Sequence, residues 1–343
     1  MPRTYRVGLV GSGFGVRAHL PAFSAHDRFE VVALASPNSA ASVAVERNIP
    51  HAFDSCESLL RGADVDVVSI AAPPFTHEDD VLASLAAGKH VLCEKPFALS
   101  VAAAARMRDA ASTAGTACAV MHEFRWVPER QALKELVLNG HLDALREIEI
   151  TQLASFLRHD VERPRGWWFE TARGGGLAGA LLSHIIDSST WLAGRPPVRS
   201  TGFLRTAIAQ RRDVRGPFLS EVDDGCFALI DYGDGLIARL SCDGTVGVDS
   251  FTIALHAENR TAVSSGMTAT ENRLFAVETD ETSELECVKS PHARFESAGA
   301  NVPLIMDLLD EYVKALEGQP SAIPTFAEAV ETQKVLASIG YGS

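Results

Sequence analysis

Residues 5–19, YRVGLVGSGFGVRAH, carry glycines at a spacing that suits a phosphate site. Arg6–Val10 is an apolar, β-branched run of the kind that forms a strand buried on both faces. It breaks at Gly11-Ser12-Gly13-Phe14-Gly15, and Val16, Leu20 and Phe23 then recur at helical spacing. Strand, glycine turn and helix in that order suit a dinucleotide. Gly11 permits the tight turn, Gly13 lets backbone approach a pyrophosphate, and the helix N-terminus offers free N–H groups and a positive dipole end. The third glycine of the GxGxxG pattern falls at Val16 here, with Gly15 one residue early. A plain glycine turn is the competing reading, and the strand–turn–helix setting favours the nucleotide. Ser36 closes the next apolar run, Glu30–Ser36. A carboxylate there would bind the ribose 2′-OH of NAD, whereas Ser36-Pro37-Asn38 leave room for a 2′-phosphate and tilt the choice toward NADP. Two further residues have proton or charge chemistry. His184 can exchange a proton near neutral pH, as an ordinary imidazole of pKa about 6.5; its dull alternative is a structural pair with Asp187, one helical turn on. Lys95, at a strand end before Pro96, can stabilise a developing alkoxide.

The elements that must position these residues alternate in the first third of the chain. Helical patterns at Ser39–Arg47, Ser55–Arg61, His77–Ala87 and Ser100–Ala114 interleave with strand patterns at Val65–Ala72, His90–Cys93 and Ala117–Met121. Such alternation with short links predicts a doubly wound parallel sheet, whose ligands sit beyond the carboxyl ends of the strands. Ala72, Pro73, His77, Glu94, Lys95 and His122 all fall at those ends. After Glu123 the texture changes to a helix (Gln131–Asn139) and alternating strands at Arg146–Leu153, Val222–Tyr232, Leu236–Cys242 and Ser250–Ala257. These predict a mainly antiparallel sheet in an α+β domain. The glycine-rich stretch Trp167–Gly194 interrupts them, and Asn301–Glu317 and Thr325–Ser338 read as closing helices. The expected division is a Rossmann-type domain at 1–122 and a second domain at 123–343.

At 343 residues two domains are the prior. A formal net charge of −13 argues against nucleic acid or an acidic membrane surface as a general partner. No apolar run approaches a membrane span, no signal-peptide pattern opens the chain, and no His/Cys set has metal-ligand spacing. The six cysteines are scattered without CxxC, so a reduced, cytoplasmic protein is expected.

Taken together the motifs resemble the Gfo/Idh/MocA family of nicotinamide-dependent oxidoreductases. The resemblance rests on GSGFGVRAH at 11–19, AAPPFTHEDDVLASLAAGKHVLCEKPFA at 71–98, FRWVP at 124–128, GGGLAGALLSHIID at 174–187, and the ending around Pro324–Ala329. It implies a Rossmann domain followed by a domain with a large open sheet, which often supplies a dimer or tetramer contact. It further implies that Lys95 is the active-site lysine touching substrate hydroxyl and nicotinamide, and that His184 is the general acid/base. The cofactor contacts it suggests are Gly11, Ser12, Gly13, Phe14, Gly15, Ser36, Asn38, Ala72, Pro73, His77, Glu94 and Lys95. Arg125, Trp126, Trp168, His184 and Asp187, with Lys95, would line the pocket of a sugar- or polyol-like substrate. One departure stands out: the family pattern GGGxLxDxGxHxxD has an aspartate where this chain has Ala180, and a glycine where it has Leu182. A nucleotide-binding regulator without chemistry, and a redox-neutral sugar enzyme using bound nicotinamide, are therefore the alternatives. Asp223-Asp224 and the arginine-rich segment 158–173 read as structural and solvated, respectively.

Overall fold

The computed structural model describes residues 2–268, 272–278 and 281–342. The chain divides into two compact units, Met1–Glu123 with Ser290–Val330, and Phe124–Lys289 with Glu331–Ser343.

In the first unit, β1 (Tyr5–Val10) leads through a turn into a helix that opens on one wide turn, Gly15–His19, and continues as α1 (Leu20–Ala25). There follow β2 (Phe29–Ala35), α2 (Ala40–Arg47), β3 (His51–Phe53), α3 (Cys56–Gly62), β4 (Val67–Ile70), α4 (His77–Ala86), β5 (His90–Cys93), α5 (Val101–Ala114) and β6 (Cys118–Val120). All six strands are parallel, in the order β3-β2-β1-β4-β5-β6. The central strands are apolar because both faces are covered: Val7, Leu9, Val67, Val68, Ile70, Val91 and Leu92 are all fully buried. Each such side chain contributes about 1.5–3 kcal/mol on burial. Helix starts are set by local polar chemistry. Ser55 makes a reciprocal cap with Ser58 at α3, and the Ser100 hydroxyl accepts from the Ala103 N–H at α5.

In the second unit α6 (Pro128–Leu138) precedes β7 (Glu147–Leu153), and α7 (Ser183–Ala193) precedes β8 (Arg199–Arg205). A hairpin of β9 (Gln210–Asp213) and β10 (Gly216–Leu219) stands apart. Then come β11 (Gly225–Asp231), β12 (Ile237–Asp243), β13 (Ser250–His256), β14 (Arg260–Gly266), β15 (Asn272–Glu278) and β16 (Glu281–Leu285). The large sheet has the order β16-β15-β14-β13-β7-β12-β11-β8, antiparallel at every pair except β7 with β12. One face carries the core (Ile148, Ile150, Ala228, Ile230, Leu240, Ile253, Leu255) under α7.

The chain closes with α8 (Val302–Leu316) and α9 (Phe326–Ser338). Here the structure corrects the expected division, which put everything after 122 into one domain. The apolar side of α8 (Leu304, Ile305, Leu308, Leu309, Tyr312) is buried in the first unit, where the Tyr312 hydroxyl donates to the Ala117 carbonyl. The Val120 N–H donates to Pro324, so the returning segment also covers the edge beside β6. The sequence reading missed β3, β8, the β9–β10 hairpin and the strands beyond Ala257. β3 is three residues long and largely exposed, and β8 reads Arg-Ser-Thr-Gly before its first large apolar residue.

Candidate functional site: a dinucleotide cradle and a glycine-led helix

Strand order places the chain reversal of the first sheet between β1 and β4, and their carboxyl ends make the crevice where such sheets take ligands. Gly11 ends β1 with φ +108°, and a Cβ there would lie 2.4 Å from the Ala71 carbonyl oxygen. Its task is thus the close approach of β1 and β4. A Cβ on Gly13 would meet nothing within 4 Å, so this turn faces open space at the start of the helix, the place a pyrophosphate requires. Gly15 does what the third glycine of the pattern usually does: its Cβ position is 3.1 Å from both Leu9 and Ala71, which lets the helix sit close on the sheet. The one-residue displacement is absorbed by the wide turn, in which the Leu20 N–H reaches back five residues to Gly15.

Ser36, half-buried at the end of β2, joins two other hydroxyls. Ser12 Oγ lies 3.0 Å from Ser36 Oγ and 2.7 Å from Ser39 Oγ, and Ser36 and Ser39 are 3.1 Å apart. Ser39 reads in sequence as a helix cap for α2, yet its side chain makes no cap bond and turns to this cluster. Asn38 is exposed beside it. The residues present fit a dinucleotide: an open glycine turn, helix N–H groups, and hydroxyls without a carboxylate where the ribose would lie.

At the end of β5, Glu94 is buried and its oxygens are held on both sides. His19 Nε2 is 2.9 Å from Oε1, and the Lys95 N–H donates to Oε2 at 3.0 Å. Burial alone would push this carboxyl up; the His19 hydrogen bond and charge, with Lys95, outweigh it and hold it below the usual carboxylate range. His19 Nδ1 in turn lies 2.8 Å from Ser69 Oγ. His19, left out of the expected site, therefore fixes the loop that carries Lys95, and only the meeting of α1 with β5 reveals it. Half-buried Lys95 precedes Pro96 through a cis peptide bond. Ala72 and Pro73 line the end of β4, half-buried. His77 is among the expected nucleotide contacts. It is fully buried, with Nε2 2.9 Å from the Ala72 carbonyl and Nδ1 3.1 Å and 3.3 Å from the Pro96 and Phe97 carbonyls. Both ring nitrogens face backbone carbonyls of the β4 and β5 loops, and a neutral ring donates to one of them. Burial keeps its pKa below the ordinary histidine value, against the pull of those carbonyls.

In the second unit the glycine run has steric reasons. A Cβ on Gly175 would sit 2.2 Å from the Trp168 carbonyl oxygen, and one on Gly176 (φ +103°) 2.2 Å from Asp223 Oδ1. Asp223 Oδ2 accepts from the Ala178 N–H at 2.7 Å, at the head of the helix, and burial pushes its carboxyl up to about 6. Asp224 accepts from the Ala207 and Ile208 N–H groups and from Arg211. Both aspartates are structural, as expected. The helix opens on a wide turn at Ala178–Leu182 that contains Ala180, and then presents His184 and Asp187, 4% and 2% exposed. Arg125 grips Asp187 in a fork, Nε to Oδ2 at 2.8 Å and a terminal nitrogen to Oδ1 at 2.6 Å. Phe124 stacks on the His184 ring at 4.3 Å and 27°. Fully buried Arg130 lies over Phe124 and Phe251, at 5.2 Å and 4.8 Å from the ring centres, and donates to the Ser188 hydroxyl. Phe124 and Arg130 were not among the expected site residues; both are brought to His184 by the chain folding back against α7. Trp126 is half-buried in the turn that carries Arg125. Trp168 stands against Phe169 and under the Arg163 guanidinium, 4.7 Å from its ring centre, and its carbonyl accepts from Gly176.

A family profile described as an oxidoreductase family with an NAD-binding Rossmann fold matches residues 5–122, and one for the GFO/IDH/MocA C-terminal domain matches residues 130–263. An oxidoreductase of Synechocystis sp., described as uncharacterized, is 34% identical over 209 residues, spanning 60% of this chain and 56% of that protein. Levoglucosan dehydrogenase of Pseudarthrobacter phenanthrenivorans is 26% identical over 260 residues, spanning 68% of this chain and 66% of that protein. The chain thus matches between 56% and 66% of the length of these two relatives. A solved structure of levoglucosan dehydrogenase in complex with NADH shares the fold, with TM-score 0.86 at 22% identity over 99% of this chain and 97% of that one. Among the described residues no helix is long and apolar enough to cross a membrane. Two profiles of one family, met in order along one chain, establish its descent: the protein belongs to the Gfo/Idh/MocA family.

Proposed function

We propose that the protein is an NAD(P)-dependent oxidoreductase acting on a secondary alcohol or carbonyl of a sugar- or polyol-like substrate. The observation that carries this reading is the rim of the first sheet, where the open Gly13 turn, the serine cluster and the Glu94–Lys95 loop follow the carboxyl ends of β1, β2 and β5. The levoglucosan dehydrogenase relatives support the substrate class. A bound nicotinamide dinucleotide supplies the hydride acceptor or donor. The helix N–H groups beside Gly13 would hold its pyrophosphate, and the Lys95 ammonium would stabilise charge developing on the substrate oxygen. His184 would exchange the hydroxyl proton, since Ala180 offers no group to share that task.

The test is reduced-nicotinamide absorbance on mixing the protein with NADP or NAD and a panel of sugars and polyols. A rise establishes hydride transfer; cofactor binding without a rise across the panel would favour a regulator or a redox-neutral enzyme. Lys95→Ala should lower kcat about hundredfold while cofactor affinity changes little. An equal loss in both would remove the proposed role. For the cofactor, three clustered hydroxyls and no carboxylate at the end of β2 support NADP. Ser36→Asp should then raise the NAD to NADP ratio of kcat/KM at least about tenfold, through a new bond to the ribose 2′-OH and repulsion of a 2′-phosphate.

For assembly, Phe203, Leu229 and Ile237 are exposed on neighbouring strands β8, β11 and β12. These apolar side chains, on a face that also carries the Arg199–Asp231 and Arg239–Glu147 ion pairs, support a homodimer or homotetramer contact through the large sheet, which sedimentation of the purified protein reads directly. All six cysteines are free thiols, which fits a reducing compartment such as the cytoplasm.

A further inference from the structure

Where residues 290–330 return to the first unit, four ionisable side chains meet. His292 precedes the short helical segment Ala293–Ala298, Asp307 and Asp310 lie three residues apart on α8, and His26 follows the last residue of α1. Residues at that spacing share a helix face. The Asp310 carboxylate is approached from two sides: His26 Nε2 is 3.0 Å from Oδ1, and His292 Nε2 is 2.8 Å from Oδ2. The Arg28 N–H donates to His26 Nδ1 at 3.2 Å, so His26 carries its proton on Nε2 and donates it to Oδ1. Oδ2 is left for the His292 side. One donor atom from each of His292, Asp307 and Asp310 lies within 4.8 Å of the other two. Around a tetrahedral ion with bonds of about 2.0–2.1 Å the donor separations are about 3.4 Å, which small side-chain rotations reach.

The cluster carries an electrostatic strain that a cation would relieve. Asp307 is 9% exposed beside a second carboxylate. His292 Nδ1 is buried without a hydrogen-bond partner, so the ring has a nitrogen free to hold a proton when Nε2 turns to an ion.

We propose that His292, Asp307 and Asp310 bind one divalent transition-metal cation of the zinc type, with His26 orienting Asp310 from outside the ligand set. The imidazole donor selects against magnesium and calcium, which take oxygen alone. Two carboxylates and a neutral imidazole balance the charge of the ion. Asp310 is about half exposed, so water completes the coordination. The ion fastens His292 to α8, within the returning segment. Fourteen residues lie between His292 and Asp307 and the orienting histidine lies far earlier in the chain, so sequence spacing shows no metal motif.

The experiment uses the full chain, stripped with a chelator, titrated with Zn²⁺ by calorimetry and with Co²⁺ by absorption. The site predicts one saturable equivalent of Zn²⁺, a rise in Tm on binding, and Co²⁺ d–d bands without thiolate charge transfer. Asp310→Asn, at a half-exposed position that folding tolerates, and the isosteric Asp307→Asn should each abolish that equivalent. His26→Gln should weaken it about tenfold, as loss of an orienting neighbour does. Absence of saturable binding overturns the proposal. So does binding that survives both asparagine variants, or that carries the thiolate band of a cysteine site. None of these readouts depends on the dehydrogenase reading.

Discussion

His184→Ala should lower kcat by roughly 10²- to 10⁴-fold, the usual range for loss of a positioned general acid/base. Cofactor affinity should hold, because the cradle is built from the first unit alone. Alanine also removes the stack on Phe124, so His184→Phe is the informative partner: it keeps an aromatic face against Phe124 but cannot carry a proton. Steady-state kinetics on the two variants should show the same large fall in kcat, with Tm recovered in the phenylalanine variant. Retention of kcat by His184→Phe would reduce the histidine to packing. The surroundings argue for proton work. The ring is held by Phe124, which itself lies under the Arg130 guanidinium, and an imidazole so oriented loses little entropy on meeting a substrate.

Arg125→Met should destabilise the protein by about 3–5 kcal/mol, the range for removing one partner of a buried ion pair. Asp187 is 2% exposed and its two oxygens meet the guanidinium fork. Removing the cation leaves that carboxylate without its forked partner, whereas Arg125→Met combined with Asp187→Leu should recover much of the loss, since two apolar side chains leave no charge to desolvate. Urea unfolding of the single and double variants measures both. A cost below about 1 kcal/mol for the single variant is what an exposed pair would show. Asp187, expected to line the substrate pocket, gives both carboxylate oxygens to the Arg125 fork, which holds the Phe124–Trp126 turn against α7.

Much of this architecture was legible from residue types. Five of the six parallel strands could be read because strands buried on both faces are nearly continuous apolar runs, and Val65–Ala72 and His90–Cys93 are such runs. The cradle could be read because Gly11's backbone conformation and the close packing of Leu9 and Ala71 around Gly15 favour residues without a Cβ. The strands of the second sheet were harder. One face is open, so Arg199–Arg205 and Glu281–Leu285 hold mostly polar residues and look like loops.

Local pattern thus determined by itself the parallel sheet, the glycine turn, the strand-end positions of Glu94 and Lys95, and the helix bearing His184 and Asp187. These features follow from side-chain periodicity and from φ limits that act within a few residues. Tertiary structure alone decided which side chains those groups meet. Whether Glu94 is held by His19, whether His77 lies against the Pro96 carbonyl, and whether Asp187 pairs with Arg125 depend on contacts 75, 19 and 62 residues apart. It also decided that α8 returns to the first unit. An amphipathic helix states that it must bury one face but not against what, because the burial energy is non-directional and only the packed core supplies the complementary surface.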